Sequence, residues 1–198
     1  MRDIDLIVIG GSAGALEALL ELLAPLPAEL TAPIAVVLHL RPTLPSMVPG
    51  LLARAMGRTV REAEDKEPLV PGTVYVAPPN YHMLIERGGT IALSVDEPVH
   101  FSRPSLDVLF ESAADAFGPG VVGLVLSGTN PDGAEGLHRI AAAGGVALVQ
   151  SAASAAHAAM PVAAARRLGA RAHVLAPREV APFLSRLAGL SSDPERTP

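Results

Sequence analysis

"IGGSAGALEALLELL", Ile9–Leu23, joins an apolar run to a helical pattern through a short glycine-rich turn. The residues before it, Ile4–Gly10, are apolar on both faces and rich in isoleucine and valine, which predicts a buried parallel strand. After it, Leu16, Leu19, Leu20 and Leu23 recur at i, i+3, i+4 and i+7, so a helix leaves the turn directly. The same alternation runs along the chain. Ala32–Leu40, Gly120–Gly128 and Gly144–Gln150 read as further buried strands, with Ala172–Leu175 as a shorter one. "PSLDVLFESAADAFG" carries a second helical stripe through Leu106, Leu109, Phe110 and Ala113. Strands alternating with helices predict an α/β fold: a doubly wound, mostly parallel, Rossmann-like sheet with helices on both faces. Val60–Leu93 breaks the rhythm. There "GTVYVAPP" and "YHMLIERGGTIALSV" alternate apolar and polar residues around the turn signal "RGGT", which predicts a small antiparallel hairpin insertion. Met83 and Leu84 fall in its core.

The chain has 198 residues, enough for one domain with a substantial core, here assigned to 1–190, followed by a polar, proline-bearing tail at 191–198. Half of the composition is apolar but only 3% is aromatic, so the core is built from Ala, Val, Leu and Ile. No apolar run reaches the roughly 18–20 residues that cross a bilayer. Asp3 and Asp5 stand where a secretory signal would be basic. These features predict a cytoplasmic protein without membrane insertion. The absence of cysteine excludes disulfides and thiolate catalysis. A net charge of −5 with scattered signs offers no basic stripe to nucleic acid.

The opening turn admits three chemistries. A dinucleotide fingerprint needs G-x-G-x-x-G, yet Ser12 holds the place of its second glycine. A P-loop needs a lysine that is not there. Anion binding at the helix N-terminus stays open, with Arg41 beyond the second strand as its support. Gly10–Gly14 also satisfies G-x-S-x-G between a strand and a helix, the setting of an exposed serine nucleophile. The third reading is a connection in which Ser12 only caps the helix.

A nucleophilic serine needs a base and a group that orients the base. His39 ends the second strand, and Asp132 lies in "LVLSGTNPDGAEG" beyond a later one. Each also has a plain structural reading, backbone bonding for His39 and helix capping for Asp132. All three residues follow the carboxyl ends of parallel strands, where open α/β sheets form their crevices. The order Ser, His, Asp differs from that of the α/β-hydrolases. His82, His100, His138, His157 and His173 are rival bases; none of them ends a parallel strand so plainly.

"IGGSAGALEALLELLAPLP", "VVLHLRP", "GTVYVAPPNYHMLI", "RPSLDVLF", "GLVLSGTNPDGAEGL" and "AGGVALVQ" with "AAMPVAA" resemble, in order, the catalytic domain of the chemotaxis protein-glutamate methylesterases (CheB). The resemblance runs from Ile4 to about Leu184. It implies a serine hydrolase that removes methyl esters from glutamate side chains on chemoreceptor cytoplasmic helices, releasing methanol, and that also deamidates receptor glutamines. It puts the nucleophile on Ser12, the base on His39 and the orienting carboxylate on Asp132, and needs neither metal nor organic cofactor. Backbone N–H groups near His39 and Thr129 are the expected oxyanion donors, and Arg103 either meets the substrate or anchors its loop. Two motifs depart from the family pattern: Ser12-Ala13-Gly14-Ala15 replaces Ser-Thr-Gly-Gly, and Gly128-Thr129-Asn130-Pro131-Asp132-Gly133 replaces Gly-Met-Gly-x-Asp-Gly. A first strand beginning by Ile4 leaves no room for a preceding receiver domain, so a stand-alone catalytic domain is expected. The competing functions are a nucleotide-binding oxidoreductase built on the opening glycines and a non-catalytic interaction module that keeps the fold.

Overall fold

A computed structural model describes residues 3–39 and 47–190. Arg41 and the 191–198 tail lie outside them. The chain runs β1 (Leu6–Gly11), α1 (Ala15–Leu23), β2 (Ile34–Leu38), α2 (Val48–Met56), β3 (Val60–Glu62), β4 (Val74–Val76), β5 (His82–Glu86), β6 (Thr90–Ser94), α3 (Leu106–Phe117), β7 (Val121–Val125), α4 (Ala134–Ala142), β8 (Val146–Gln150), α5 (Ala159–Leu168), β9 (Ala172–Leu175) and α6 (Pro177–Ala188).

Seven strands form one sheet in the order β3-β4-β2-β1-β7-β8-β9. Every pairing in it is parallel. Period-two alternation sends neighbouring residues to opposite faces, and both faces are covered. Ile7, Ile9, Ile34, Val36, Leu124 and Leu148 pack with α1, α2 and α6. Leu6, Val8, Ala35, Val37, Val125 and Val149 pack with α3, α4, α5 and the β5–β6 hairpin. The order places β1 between β2, reached by the first crossover, and β7, reached after the chain returns. The carboxyl ends of these three strands therefore meet at a topological switch point.

The insertion differs from expectation in one respect. Only β5 and β6 form the antiparallel hairpin, pairing His82 with Ser94 through Glu86 with Thr90. Val74–Val76, from "GTVYVAPP", joins the parallel sheet beside β2 instead. All three of its residues are fully buried, so both of its faces need apolar cover, which an exposed hairpin does not supply. Met83 is buried in the core beneath the hairpin, as expected.

The opening glycines serve packing. A Cβ on Gly10 would overlap Leu106 Cγ and Cδ2 at the start of α3, so a side chain covers the backbone that a pyrophosphate would need to approach. Gly14 has φ +73° and precedes α1, a conformation that suits glycine. Gly10→Ala should force α3 away from β1, costing about 1–3 kcal/mol of stability. Because the Leu106 N–H also holds Asp132, the variant should lose turnover beyond what its lowered melting temperature explains. Parallel thermal melts and activity assays check this.

Candidate active site

Register brings the serine and the histidine together before any side-chain contact is considered. Gly11 pairs with Leu38, so the next residues, Ser12 and His39, leave adjacent strands side by side. Such strands lie about 4.8 Å apart. The His39 N–H continues the ladder to the Gly11 carbonyl at 3.1 Å, and the Ser12 N–H donates to the Ser127 carbonyl beyond β7 at 2.8 Å. Ser12 is half-buried at the entrance to α1.

Asp132 arrives from the loop after β7 and is fully buried. His39 Nε2 lies 2.8 Å from its Oδ2. The same oxygen accepts the Leu106 N–H at 2.8 Å; Oδ1 accepts from Ser105 Oγ at 2.8 Å and from the Asp107 N–H at 3.1 Å. The carboxylate thus sits on the N-terminus of α3, where backbone donors and the helix dipole favour negative charge. Burial alone would raise its pKa, but the bonds from His39, Leu106, Ser105 and Asp107 outweigh that and hold it below the ordinary aspartate value. The capping read from sequence is therefore real but directed elsewhere. The residue before α4 is Gly133, in the left-handed region without a side-chain cap, and Asp132 caps α3 instead.

An ionised Asp132 accepts a hydrogen bond from Nε2–H, which leaves the lone pair of neutral His39 on Nδ1. Ser102 Oγ lies 3.4 Å from Nδ1, long for a hydrogen bond. Among the described residues Ser12 Oγ makes no hydrogen bond, and the side-chain contacts of His39 are those with Asp132 and Ser102.

Thr129 is exposed in the β7–α4 loop, and no acceptor among the described residues faces its N–H. The His39 N–H, by contrast, is engaged with Gly11 and offers nothing to an oxyanion. Arg103 donates from Nε and Nη2 to Asn80 Oδ1 at 3.1 and 2.8 Å, and from Nη1 to the Val95 and Asp96 carbonyls at 2.6 and 2.9 Å. These are the contacts of a loop anchor. A cleft of about 210 Å³ lies between His39, Asn80, Pro98, Phe101, Ser102, Arg103 and Pro104. A larger hollow of about 510 Å³ beside α6 shares no residue with it.

Several supporting residues carried no local signal. His82 is buried and accepts the Ser105 N–H on Nδ1 at 3.2 Å, so its proton sits on Nε2, 3.1 Å from the Glu97 carbonyl. Ser127 Oγ donates to the Ala13 carbonyl at 2.7 Å and accepts the His157 N–H at 2.9 Å, pinning the serine turn to the loop after β8. Gln150 Oε1 accepts the Ser127 N–H at 2.8 Å. Apart from Glu97, 15 residues from His82, each partner lies more than 20 residues away in sequence, beyond the reach of periodicity.

Asp107 lies behind Asp132. Burial raises its pKa to about 6; the Asp132 charge adds to the rise, while the Gly136 N–H and His100 oppose it. In the unfolded chain it titrates near 3.8. The folded state thus holds the extra proton between these values, and the stability so gained is lost as pH rises through about 6. Asp107→Asn can still accept from Gly136 and escapes that loss. Its melting temperature should exceed that of the wild type by roughly 2–6 °C at pH 8, and the gap should close below about pH 4. Melts across pH check the sign.

Comparison with known proteins speaks to the family and the fold. The family model described as CheB methylesterase matches residues 7–184. A Leptospira interrogans relative is 43% identical over 157 residues, covering 79% of this chain and 81% of its own. The protein-glutamate methylesterase/protein-glutamine glutaminase of Azospirillum brasilense is 37% identical over 188 residues, covering 93% of this chain. This chain spans 48% of that relative's length. The crystal structure of the Thermotoga maritima CheB methylesterase catalytic domain superposes with a TM-score of 0.87 at 27% identity, covering 93% of this chain and 99% of that one. Ordered strand ends that gather a serine, a histidine and a buried aspartate, a match over nearly the whole described chain and a shared fold lead to one assignment: the chain belongs to the CheB methylesterase family.

Proposed function

We propose that this protein is a protein-glutamate methylesterase, acting in the cytoplasm on methyl-esterified glutamates of chemoreceptor helices and deamidating receptor glutamines at the same centre. The observation that carries the reading is the His39–Asp132 pair, 2.8 Å long, set in register beside Ser12. Asp132 is fully buried and held by four donors, whereas the His39 side chain keeps 12% exposure toward the cleft. A neutral histidine fixed at one nitrogen and open at the other is what a general base requires.

In the reaction, Ser12 Oγ attacks the γ-carbonyl carbon of the ester while His39 Nδ1 takes the hydroxyl proton. Asp132 stabilises the imidazolium that forms. The oxyanion is held by the N–H of Ala13, the residue after the nucleophile, and by the N–H of Thr129; one such donor is typically worth about 3 kcal/mol. The C–O bond breaks, methanol leaves with the proton returned by His39, and the γ-acyl group stays on Ser12. Water then attacks that acyl group with His39 again as base, releasing glutamate. For glutamine the leaving group is ammonia. The helix dipole of α1, whose N-terminus follows Ser12, favours negative charge at the same place. No step calls for a metal or an organic cofactor.

The relatives named for this activity support the substrate class, and no helix of the described residues is long and apolar enough to cross a membrane. The test is methanol release from a methyl-esterified chemoreceptor signalling fragment. Release that saturates with substrate is expected. A protein that hydrolyses small activated esters but liberates no methanol from the fragment would show that the hydrolase acts on a different ester.

A further inference from the structure

The turn beside the catalytic histidine is built against backbone preference. Val99 and Ser102 exchange both backbone hydrogen bonds, at 3.1 and 2.9 Å, which closes a two-residue hairpin. Its central residues, His100 and Phe101, have φ of 49° and 61°. Positive φ at both positions defines a type I′ turn, for which Asn-Gly is the usual pair. For a bulky residue such as phenylalanine the left-handed region is an outlier, and strain of this kind persists where something else rewards it.

His100 finds a partner, with Nε2 3.4 Å from Asp107 Oδ2. Phe101 finds none among the described residues: it is 104% exposed and therefore adds hydration of a phenyl ring to backbone strain. On stability alone, glycine would be the better residue. What distinguishes the position is its place. Phe101 stands on the rim of the cleft that His39 opens into, one residue from Ser102, whose Oγ faces His39 Nδ1. Arg103 fixes the stem of this turn to the β4–β5 loop through Asn80 and to the start of its own β6–α3 connection through the Val95 and Asp96 carbonyls. Tyr81, next to Asn80, and Val95, itself an anchor, are 41% and 65% exposed, so the anchored segments carry further exposed apolar side chains.

We propose that Phe101 is a specificity-determining residue that contacts the protein substrate, seating against an apolar side chain next to the esterified glutamate. This rests on the methylesterase reading above. An ester borne on a protein reaches His39 only if the surrounding surface comes to rest on the cleft rim. A rigidly mounted aromatic ring gives that surface an anchor at low entropic cost. A small ester enters the cleft without touching it.

Phe101→Gly and Phe101→Leu test this. For each, kcat and KM are measured for methanol release from the esterified receptor fragment, kcat/KM is measured for a small soluble ester such as p-nitrophenyl acetate, and the melting temperature is recorded. The glycine variant should lose about 10–100-fold in kcat/KM on the fragment, mostly through KM, and that loss should exceed any loss on the small ester at least tenfold. Its melting temperature should stay level or rise, since the strain is relieved, which separates lost recognition from lost folding. The leucine variant, which keeps an apolar contact, should recover most of the fragment activity. Equal losses on both esters, or none on the fragment, would overturn the proposal while leaving the methylesterase standing. A wild-type protein that releases no methanol from the fragment overturns both.

Discussion

Ser12→Ala should abolish methanol release, by at least about 10⁴-fold in kcat, without lowering the melting temperature. The two halves of that expectation come from separate observations. Ser12 Oγ makes no hydrogen bond among the described residues, and the chain around it is held by backbone bonds from the Ser12 N–H and to the Ser12 carbonyl. Removing the hydroxyl therefore breaks no contact, and the stability change should stay within about 0.5 kcal/mol. In the proposed reaction that oxygen is the attacking atom, so its loss removes the acyl-transfer step. The rival hydroxyl is that of Ser102, whose Oγ lies 3.4 Å from His39 Nδ1. Its surroundings lack what acyl transfer needs. The Ser102 N–H is engaged with the Val99 carbonyl, and no α-helix begins there. Ser12 is followed by Ala13 and by the N-terminus of α1. Ser102→Ala should consequently keep a substantial fraction of the turnover that Ser12→Ala loses. A methanol assay on both variants decides it: activity surviving in Ser12→Ala but absent from Ser102→Ala would move the nucleophile to the hairpin.

The sheet was legible because its central strands are buried on both faces. Runs such as "LIVIGG" and "VVGLV" have no polar side to confuse the reading, and their ends show which residues face the switch point. Val60–Glu62 and Val74–Val76 have three residues each, too short for a periodicity to declare itself beside an alternating hairpin. Cover on both faces decides the place of Val74–Val76, and the largely exposed Val60–Glu62 adds to it as the edge strand. The site was legible in part for the same reason: strand ends locate Ser12, His39 and Asp132. The rest depends on contacts between distant segments. Asp132 before "GAEGLHRI" has the local form of a cap for α4, and nothing local shows that its oxygens reach the donors of α3 instead. His82 lies in an apolar strand, yet its ring supports Ser105, which in turn holds Asp132. For Arg103 sequence left two roles open, and the β4–β5 loop and the start of the β6–α3 connection, meeting at its guanidinium, supply the contacts of the anchor.

Asp132→Asn should be the second most damaging change to turnover, and unlike the serine variant it should also destabilise the fold. Each oxygen of Asp132 accepts two hydrogen bonds in a fully buried place. An amide can present only one oxygen, so its NH2 group must face donors. If the NH2 replaces Oδ2, it meets the Leu106 N–H and can satisfy His39 only by taking Nε2 as an acceptor. The histidine proton then moves to Nδ1, and the base loses the lone pair that faces the cleft. If the NH2 replaces Oδ1, Ser105 Oγ can turn to accept, but the Asp107 N–H is left without a partner. Either arrangement strands a buried donor at the N-terminus of α3, at a cost of about 1–3 kcal/mol. The missing counter-charge for the imidazolium in either arrangement, with the wrong tautomer in the first, should reduce kcat by up to roughly 10⁴-fold, the scale seen when a triad aspartate is neutralised. Substrate binding does not use the carboxylate, so KM should change far less than kcat. Destabilisation with kcat within tenfold of the wild type would leave Asp132 as a cap for α3 only and require another group to orient His39. Loss of turnover with the melting temperature unchanged would show instead that α3 finds other acceptors, and that the buried carboxylate acts through the histidine alone.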